Sequence, residues 1–262
     1  MPKRIRVITC DVTGTLVSFR GTLEEHYLGS AAKCGVTLPE GVSFASAFHD
    51  AYKDTCQRYP CFGGSDLTAK EWWKECVNKS FQLAGAEMTS QQEEDVFQRI
   101  YSIFGSQTCY EKFEDATPFL NWAQRHNIIC GVLSNADERY GDSILPMLGL
   151  SHDQLQFQCF SKDHGIEKPN PLFFKSAIEV ADRWMTSGRY SDDPLLPSHV
   201  LHIGNDYAKD FEGARRAGMH AVLLERYNNR ELAEEWRRRG AFVMEDLLDV
   251  VELLGRSDCR LG

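Results

Sequence analysis

Short apolar segments separated by amphipathic stretches constrain the fold of this chain most strongly. They are rich in Val and Ile and bounded by polar residues or glycine, as strands buried on both faces are. The segments are RVITC (6–10), IICGVLS (128–134), FQCFS (157–161), HVLHIGN (199–205) and HAVLL (220–224). Alternation of strands and helices requires parallel pairing with right-handed crossovers. The pattern therefore predicts an α/β protein with a Rossmann-like, doubly wound parallel sheet.

Residues 18–112 break this alternation, because they contain four helical stretches and no clear strand. Two of these helices begin with the S/T-x-x-E capping box, and their boxes lie at residues 22–25 and 68–71. The other two helices are expected at residues 43–59 and 90–104.

The position of this helical block predicts the domain organisation. We expect an α/β core domain formed by residues 1–17 and 113–262, and a four-helix cap domain formed by residues 18–112. Open α/β sheets bind ligands at the carboxyl ends of their strands. A helical insertion directly after the first strand is therefore expected to cover that edge.

Charge and cysteine usage narrow the class of protein. The formal net charge of -9 argues against nucleic acid or an anionic membrane as a partner. The 9 cysteines are scattered without a C-x-x-C pair, which is typical of a reducing compartment. The first apolar run is short and ends at Asp11, so neither a signal peptide nor a membrane span is expected. We expect a cytoplasmic protein, with the nucleus left open; the oligomeric state is not encoded in any readable pattern.

Asp11 stands where a buried strand ends and a turn containing Gly14 begins. A carboxylate in this place projects into the crevice where a substrate binds, as a nucleophile or metal ligand requires. An aspartate after a strand can also serve only as a turn or capping residue.

Polar residues follow three other predicted strands as well. Ser134 and Asn135 follow the second strand, Lys168 follows the third at a short distance, and Asn205–Asp206 with Asp210 follow the fourth. Together with Asp11 they provide a hydroxyl donor, a fixed cation and oxygen ligands for a hard divalent ion. Phosphoryl chemistry uses these groups.

Four motifs formed by these residues resemble those of the haloacid dehalogenase-like hydrolase superfamily, in its capped group. The motifs are DVTGT (11–15), LSN (133–135), EKPNPLFF (167–174) and HIGNDYAKDFEGARRAGM (202–219). Their order and spacing extend over nearly the whole chain. The cap sequence LTAKEWWKECVNKSFQLAG (67–85) additionally resembles one subgroup of this superfamily.

The resemblance implies a role for each motif. Asp11 attacks phosphorus and becomes an aspartyl phosphate, and Lys168 neutralises charge beside it. Ser134 binds a phosphoryl oxygen, with Asn135 and Thr15 in the same binding site. The resemblance also implies Mg²⁺ as cofactor, and the candidate metal ligands are Asp11, Thr13, Asn205, Asp206 and Asp210.

Two positions depart from the pattern of phosphatases in this superfamily. Thr13 stands where they usually have a second aspartate as general acid, so about 10²- to 10⁴-fold of acid–base catalysis should be lost or reduced. Asn205 stands where they usually have a metal-binding aspartate. Its amide oxygen is a neutral ligand. The neighbouring Asp206 could take its place.

These departures leave three hypotheses. The first is a slow or specialised Mg²⁺-dependent phosphohydrolase that acts on a small phosphorylated molecule, with Asp11, Thr13 and Lys168 as the catalytic set. The second is a degenerate relative that binds a phosphate-like ligand or a protein without turnover. The third is a 2-haloacid dehalogenase, in which Asp11 attacks carbon and Arg20 or Lys70 of the cap holds the substrate carboxylate.

Overall fold

Six parallel strands form the main sheet in a computed structural model, which describes residues 5–188 and 193–255. These strands are β1 (Val7–Cys10), β4 (Ile129–Ser134), β5 (Phe157–Phe160), β6 (Val200–Gly204), β7 (His220–Leu224) and β8 (Phe242–Met244). Two further strands, β2 (Val17–Phe19) and β3 (Tyr110–Lys112), form a separate two-stranded sheet. The α/β fold and the five predicted strands are confirmed. The short strands β2, β3 and β8 were not predicted.

Strand β1 lies inside the sheet, whose order is β5-β4-β1-β6-β7-β8. Cys10 at the end of β1 is in register with Val132 of β4 on one side and with Ile203 of β6 on the other. The chain continues from β4 to β5 on one side of β1 and returns on the other side with β6. The carboxyl end of β1 is therefore the switch point at which open α/β sheets bind ligands.

Helices occupy most of the remaining chain. They are α1 (Leu23–Lys33), α2 (Phe44–Arg58), α3 (Ala69–Leu83), α4 (Ser90–Ile103), α5 (Ala116–Arg125), α6 (Leu145–Met147), α7 (Ser161–His164), α8 (Pro171–Ser187), α9 (Gly213–Arg216), α10 (Arg230–Arg238) and α11 (Leu247–Gly255). Short 3-10 or π-helical turns lie at Cys61–Gly63, Gln107–Cys109, Tyr140–Ile144, Pro197–His199 and Tyr207–Glu212. No helix within the described ranges is long and apolar enough to cross a membrane.

Backbone contacts divide the chain into two compact units. The first comprises Met1–Ser18, Lys112–Asn135 and Gly149–Gly262 and contains the main sheet. Its core includes Phe173 and Phe174 of α8, which are completely buried. Burying two phenylalanines of one helix removes apolar surface worth about 1.5–3 kcal/mol per side chain from water.

The second unit comprises Phe19–Glu111 and Ala136–Leu148 and contains the four predicted helices α1 to α4. The capping boxes of α1 and α3 are both formed, with reciprocal bonds between the threonine and the glutamate of each box. Contacts thus group residues 136–148 with the helices, whereas the sequence alone assigned them to the α/β core. The predicted domain boundaries stay a prediction.

Gly131 of β4 offers a test of the packing between neighbouring strands. A Cβ at this position would overlap the ring of Phe157 on β5. We expect Gly131→Ala to lower the free energy of unfolding by about 1–3 kcal/mol, the usual effect of overpacking, as measured by urea denaturation. Gly255→Ala is the control, because a Cβ at Gly255 meets open space. Equal effects of the two substitutions would contradict this packing.

Candidate active site

Three charged side chains from distant segments meet at the carboxyl end of β1. Lys168 Nζ lies 2.8 Å from Asp11 Oδ1 and 2.6 Å from Asp210 Oδ1. The side chains of Lys168 and Asp210 are each 2% exposed, whereas that of Asp11 is 15% exposed. The backbone N–H of Asp11 donates to the carbonyl of Ile203, which continues the ladder between β1 and β6. Asp11 is therefore the member of this ion trio that a ligand can reach most easily.

Asn135 fixes the backbone of the lysine. Its Oδ1 accepts the Lys168 N–H at 2.7 Å, and its Nδ2 donates to the Lys168 carbonyl at 2.9 Å. The adjoining Lys168–Pro169 peptide bond is cis, and the Asn170 side chain caps α8 by accepting the N–H of Leu172. The structure thus brings Asn135 to the site as a clamp on Lys168. Its predicted contact with a phosphoryl group stays a prediction.

Asp210 uses both of its carboxylate oxygens within the protein. Oδ2 accepts the N–H groups of Asn205 at 2.9 Å and Asp206 at 2.8 Å, which closes the loop after β6. Oδ1 contacts Lys168 and also lies 3.1 Å from His202 Nε2. Asp210 therefore anchors the fourth motif to the lysine.

Gly204, the last residue of β6, makes this arrangement possible. A Cβ at Gly204 would overlap the carboxylate of Asp210. Only glycine lets the carboxylate approach the strand end so closely, which is a usual reason for glycine where a backbone must be approached.

Opposing charges keep Lys168 and Asp210 ionised despite their burial. Burial by itself lowers the pKa of Lys168, but the carboxylates of Asp11 and Asp210 raise that pKa by more. Burial likewise raises the pKa of Asp210, but Lys168 and His202 lower it well below the ordinary value. The ammonium group of Lys168 therefore lies between the side-chain carboxyl groups of Asp11 and Asp210.

His202 of β6 is a residue that the sequence reasoning missed. It is completely buried, and burial lowers its pKa, so the imidazole is neutral near pH 7. Its Nδ1 lies 2.9 Å from the hydroxyl oxygen of Thr9 on β1. A histidine inside the otherwise apolar segment VLHIG was the available signal.

The remaining predicted residues lie at the end of β4 or in the turn after Asp11. Ser134 is the buried last residue of β4. Thr13 forms an isolated bridge with Val17, and Thr15 is completely buried. The Thr15 hydroxyl has no hydrogen-bond partner among the described residues. The assigned roles of these residues in catalysis and substrate binding stay predictions.

Arg226, the second residue after β7, is another residue that was missed. Its Nη2 donates to the Thr15 carbonyl at 2.7 Å, and its Nη1 donates to Asp115 Oδ2 at 2.9 Å. The guanidinium lies 4.0 Å from the centre of the Phe113 ring. Arg226 therefore holds the turn that follows Asp11. An arginine two residues after a strand end was the signal.

The oxygen ligands available at this site suit a weakly held hard cation. Asp210 is fully engaged, and Asp206 Oδ1 accepts the Lys209 N–H as a helix cap. The Asn205 amide packs against Gly14 so closely that a Cβ there would overlap it. Asp11, Asn205 and Asp206 thus remain as candidate donors, and within the described residues no group of three His, Cys, Asp or Glu could hold a metal. This fits Mg²⁺, which protein sites commonly bind through one or two carboxylates, with water and substrate phosphate completing the shell.

Comparison with known proteins adds independent information. Residues 5–218 match the family described as haloacid dehalogenase-like hydrolase. The chain is 31% identical over 222 residues to haloacid dehalogenase-like hydrolase domain-containing protein 3 of Mus musculus, covering 84% of this chain and 82% of the mouse protein. The sequence resemblance to the superfamily and to this subgroup is confirmed.

Solved structures show the same fold at low identity. The magnesium-bound HAD-hydrolase YfnB of Bacillus subtilis has a TM-score of 0.65 at 14% identity, covering 97% of this chain and 100% of that protein. L-2-haloacid dehalogenase of Xanthobacter autotrophicus has a TM-score of 0.62 at 17% identity, covering 95% of this chain and 98% of that protein. These similarities establish the fold alone.

The lowered pKa of Asp210 predicts a pH dependence of stability. A carboxylate whose pKa is depressed on folding stabilises the protein above its unfolded value, about 3.9, and this contribution is lost as pH falls. We expect Asp210→Asn to lower the free energy of unfolding at pH 7 by about 1.5–3 kcal/mol, the worth of a hydrogen bond to a charged group.

The difference in free energy of unfolding between Asp210→Asn and the wild type should become smaller as the pH is lowered from 5 to 3. Urea denaturation at each pH measures this difference. Asp153→Asn, at an exposed acid of the same unit, is the control and should have the same free energy of unfolding as the wild type at each pH. A difference that stays constant over this pH range would contradict the prediction.

Proposed function

Because this chain belongs to the haloacid dehalogenase-like hydrolase family, we propose that it is a slow or specialised phosphohydrolase acting through an aspartyl phosphate at Asp11. The substrate is a small phosphorylated molecule, and Mg²⁺ is the cofactor. We place the protein in the cytoplasm, where cysteines stay reduced. The eight described cysteines are free thiols.

The contact between Lys168 and Asp11 is the observation that carries the proposal. A carboxylate nucleophile and a phosphoryl group are both anions, so their approach needs a fixed cation nearby. Lys168 Nζ is held 2.8 Å from Asp11 Oδ1 at the strand end. At about 4 Å and an effective dielectric near 20, each pair of opposite unit charges is worth about 4 kcal/mol.

In the first step, a carboxylate oxygen of Asp11 forms a bond to phosphorus and the bond to the leaving oxygen breaks. Lys168 offsets the negative charge of nucleophile and phosphoryl group, and the Ser134 hydroxyl donates to a phosphoryl oxygen. In the second step, water attacks phosphorus, and the bond to Asp11 breaks to release inorganic phosphate. When bound, Mg²⁺ supplies further positive charge at the phosphoryl oxygens.

Thr13 makes this sequence slow. A threonine hydroxyl has no pKa near neutrality that suits proton transfer, so the leaving group must take its proton from water. The same lack of a base slows the attack of water in the second step. We therefore expect slow turnover that still depends on the nucleophile Asp11.

The second candidate is a binding protein without turnover. Two observations favour it: Thr13 and Asn205 replace carboxylates, and both oxygens of Asp210 are engaged within the protein. Such a protein would use Lys168 to hold a phosphate-like anion beside Asp11.

The dehalogenase hypothesis has less support. The likeness to solved dehalogenases is one of fold. Arg20, one of the cap cations considered for the substrate carboxylate, lies 3.9 Å from Glu111, and both side chains are largely exposed. Incubation with a chlorinated propionate and a chloride assay tests this chemistry directly.

Removal of the nucleophile is the first test. We expect wild-type protein with Mg²⁺ to hydrolyse p-nitrophenyl phosphate or acetyl phosphate slowly, and Asp11→Asn to abolish this activity, because an amide does not form the phosphoenzyme. Asp153→Asn, at an exposed acid, is the matched control and should keep full activity. Activity that persists in Asp11→Asn would refute the proposal.

Restoration of the missing carboxylates is the second test. The double variant Thr13→Asp with Asn205→Asp should raise turnover at least about tenfold, because it supplies an acid–base group and a charged metal ligand. Release of p-nitrophenol at saturating substrate is the measurement. No gain in turnover would favour the binding role over slow catalysis.

A further inference from the structure

A chain of buried hydrogen bonds runs behind the lysine of the active site. Thr9 Oγ1 lies 2.9 Å from His202 Nδ1, and His202 Nε2 lies 3.1 Å from Asp210 Oδ1. The same oxygen lies 2.6 Å from Lys168 Nζ, which contacts Asp11 at 2.8 Å. Thr9, His202, Asp210 and Lys168 are each at most 3% exposed.

The direction of these hydrogen bonds follows from the groups present. An ionised carboxylate only accepts, so Asp210 Oδ1 requires a donor and His202 must carry its proton on Nε2. Nδ1 of a neutral imidazole then accepts, and the Thr9 hydroxyl donates to it. The ring of Phe174 lies edge-on at 5.3 Å from the imidazole, which limits rotation of the ring.

His202 therefore fixes the position of Asp210 Oδ1. The other oxygen of Asp210 is held by two backbone N–H groups, so Oδ1 is the atom that can move by rotation of the carboxylate. Loss of the Nε2 donor would free Oδ1 to follow the lysine. Lys168 Nζ would then shift relative to Asp11.

We propose that His202 is a positioning residue for phosphoryl transfer at Asp11: its Nε2–H fixes Asp210, and Asp210 fixes the ammonium of Lys168 beside the nucleophile. This inference rests on the proposed function. The role of His202 differs from the catalytic roles of Asp11 and Lys168, because the histidine touches neither substrate nor nucleophile and acts only through Asp210.

Amide replacements of His202 separate positioning from packing. The amide nitrogen of glutamine reaches the place of Nε2 and can donate to Asp210, whereas that of asparagine reaches only the place of Nδ1. His202→Leu removes both nitrogens. Val200→Ala, at a completely buried residue of the same strand outside the network, is the control for lost packing.

The measurements are kcat and KM for p-nitrophenyl phosphate with Mg²⁺, stability in urea, and ¹⁵N NMR of the imidazole in the wild type. We expect His202→Asn and His202→Leu to lower kcat about tenfold or more with a smaller change in KM, as misplacement of a catalytic group does. His202→Gln should stay within about threefold of wild type. Val200→Ala should lose stability and keep its kcat.

The NMR spectrum should show a proton on Nε2 of His202. A proton on Nδ1 alone, or equal loss of kcat in His202→Asn and His202→Gln while the wild type is active, would overturn the inference but leave the proposed function standing. The NMR result is decisive even if a variant does not fold. A wild type that is as inactive as Asp11→Asn would overturn the proposed function, and the inference with it.

Discussion

The ion trio of Asp11, Lys168 and Asp210 is the interaction on which the rest of the site depends. A lysine as buried as this one is strongly unfavourable unless nearby anions compensate the loss of hydration. Here two carboxylates do so at 2.8 and 2.6 Å. Each member comes from a different segment, so formation of the trio requires that the sheet be assembled in its parallel order.

The same contacts that stabilise the lysine limit the chemistry of the site. Both oxygens of Asp210 are engaged by Lys168, by His202 and by the loop after β6. The proposed Mg²⁺ would therefore depend on Asp11, on Asp206 and on the neutral amide of Asn205. In the proposed function, the fixed ammonium group of Lys168 would contribute more to holding the anion than a bound cation would, which is the reason we propose slow turnover.

The residues around the trio determine the positions of its side chains and contribute little to its charge. Asn135 clamps the backbone of Lys168, and Arg226 holds the turn after Asp11. His202 stands behind Asp210, and Gly204 leaves room for its carboxylate. None of these four is a predicted nucleophile or base. A substitution that removes one of these contacts would change the distances between Asp11 and the side chains around it, although the Asp11 carboxylate would still be present.

The α/β class, five strands of the sheet, the capping boxes and the residues of the trio could be predicted from the sequence. Hydrophobic periodicity and helix caps depend on neighbours within a few residues, so a linear reading recovers them. The strand order, the clamp by Asn135 and the contacts of His202 and Arg226 became visible only in the folded chain. They join groups 33 to 211 residues apart for Asn135 with Lys168, Thr9 with His202, and Thr15 with Arg226. Such contacts follow from which strands pair and in what order, and parallel neighbours are joined only through long crossovers, so a local pattern in the sequence does not show which strands become neighbours.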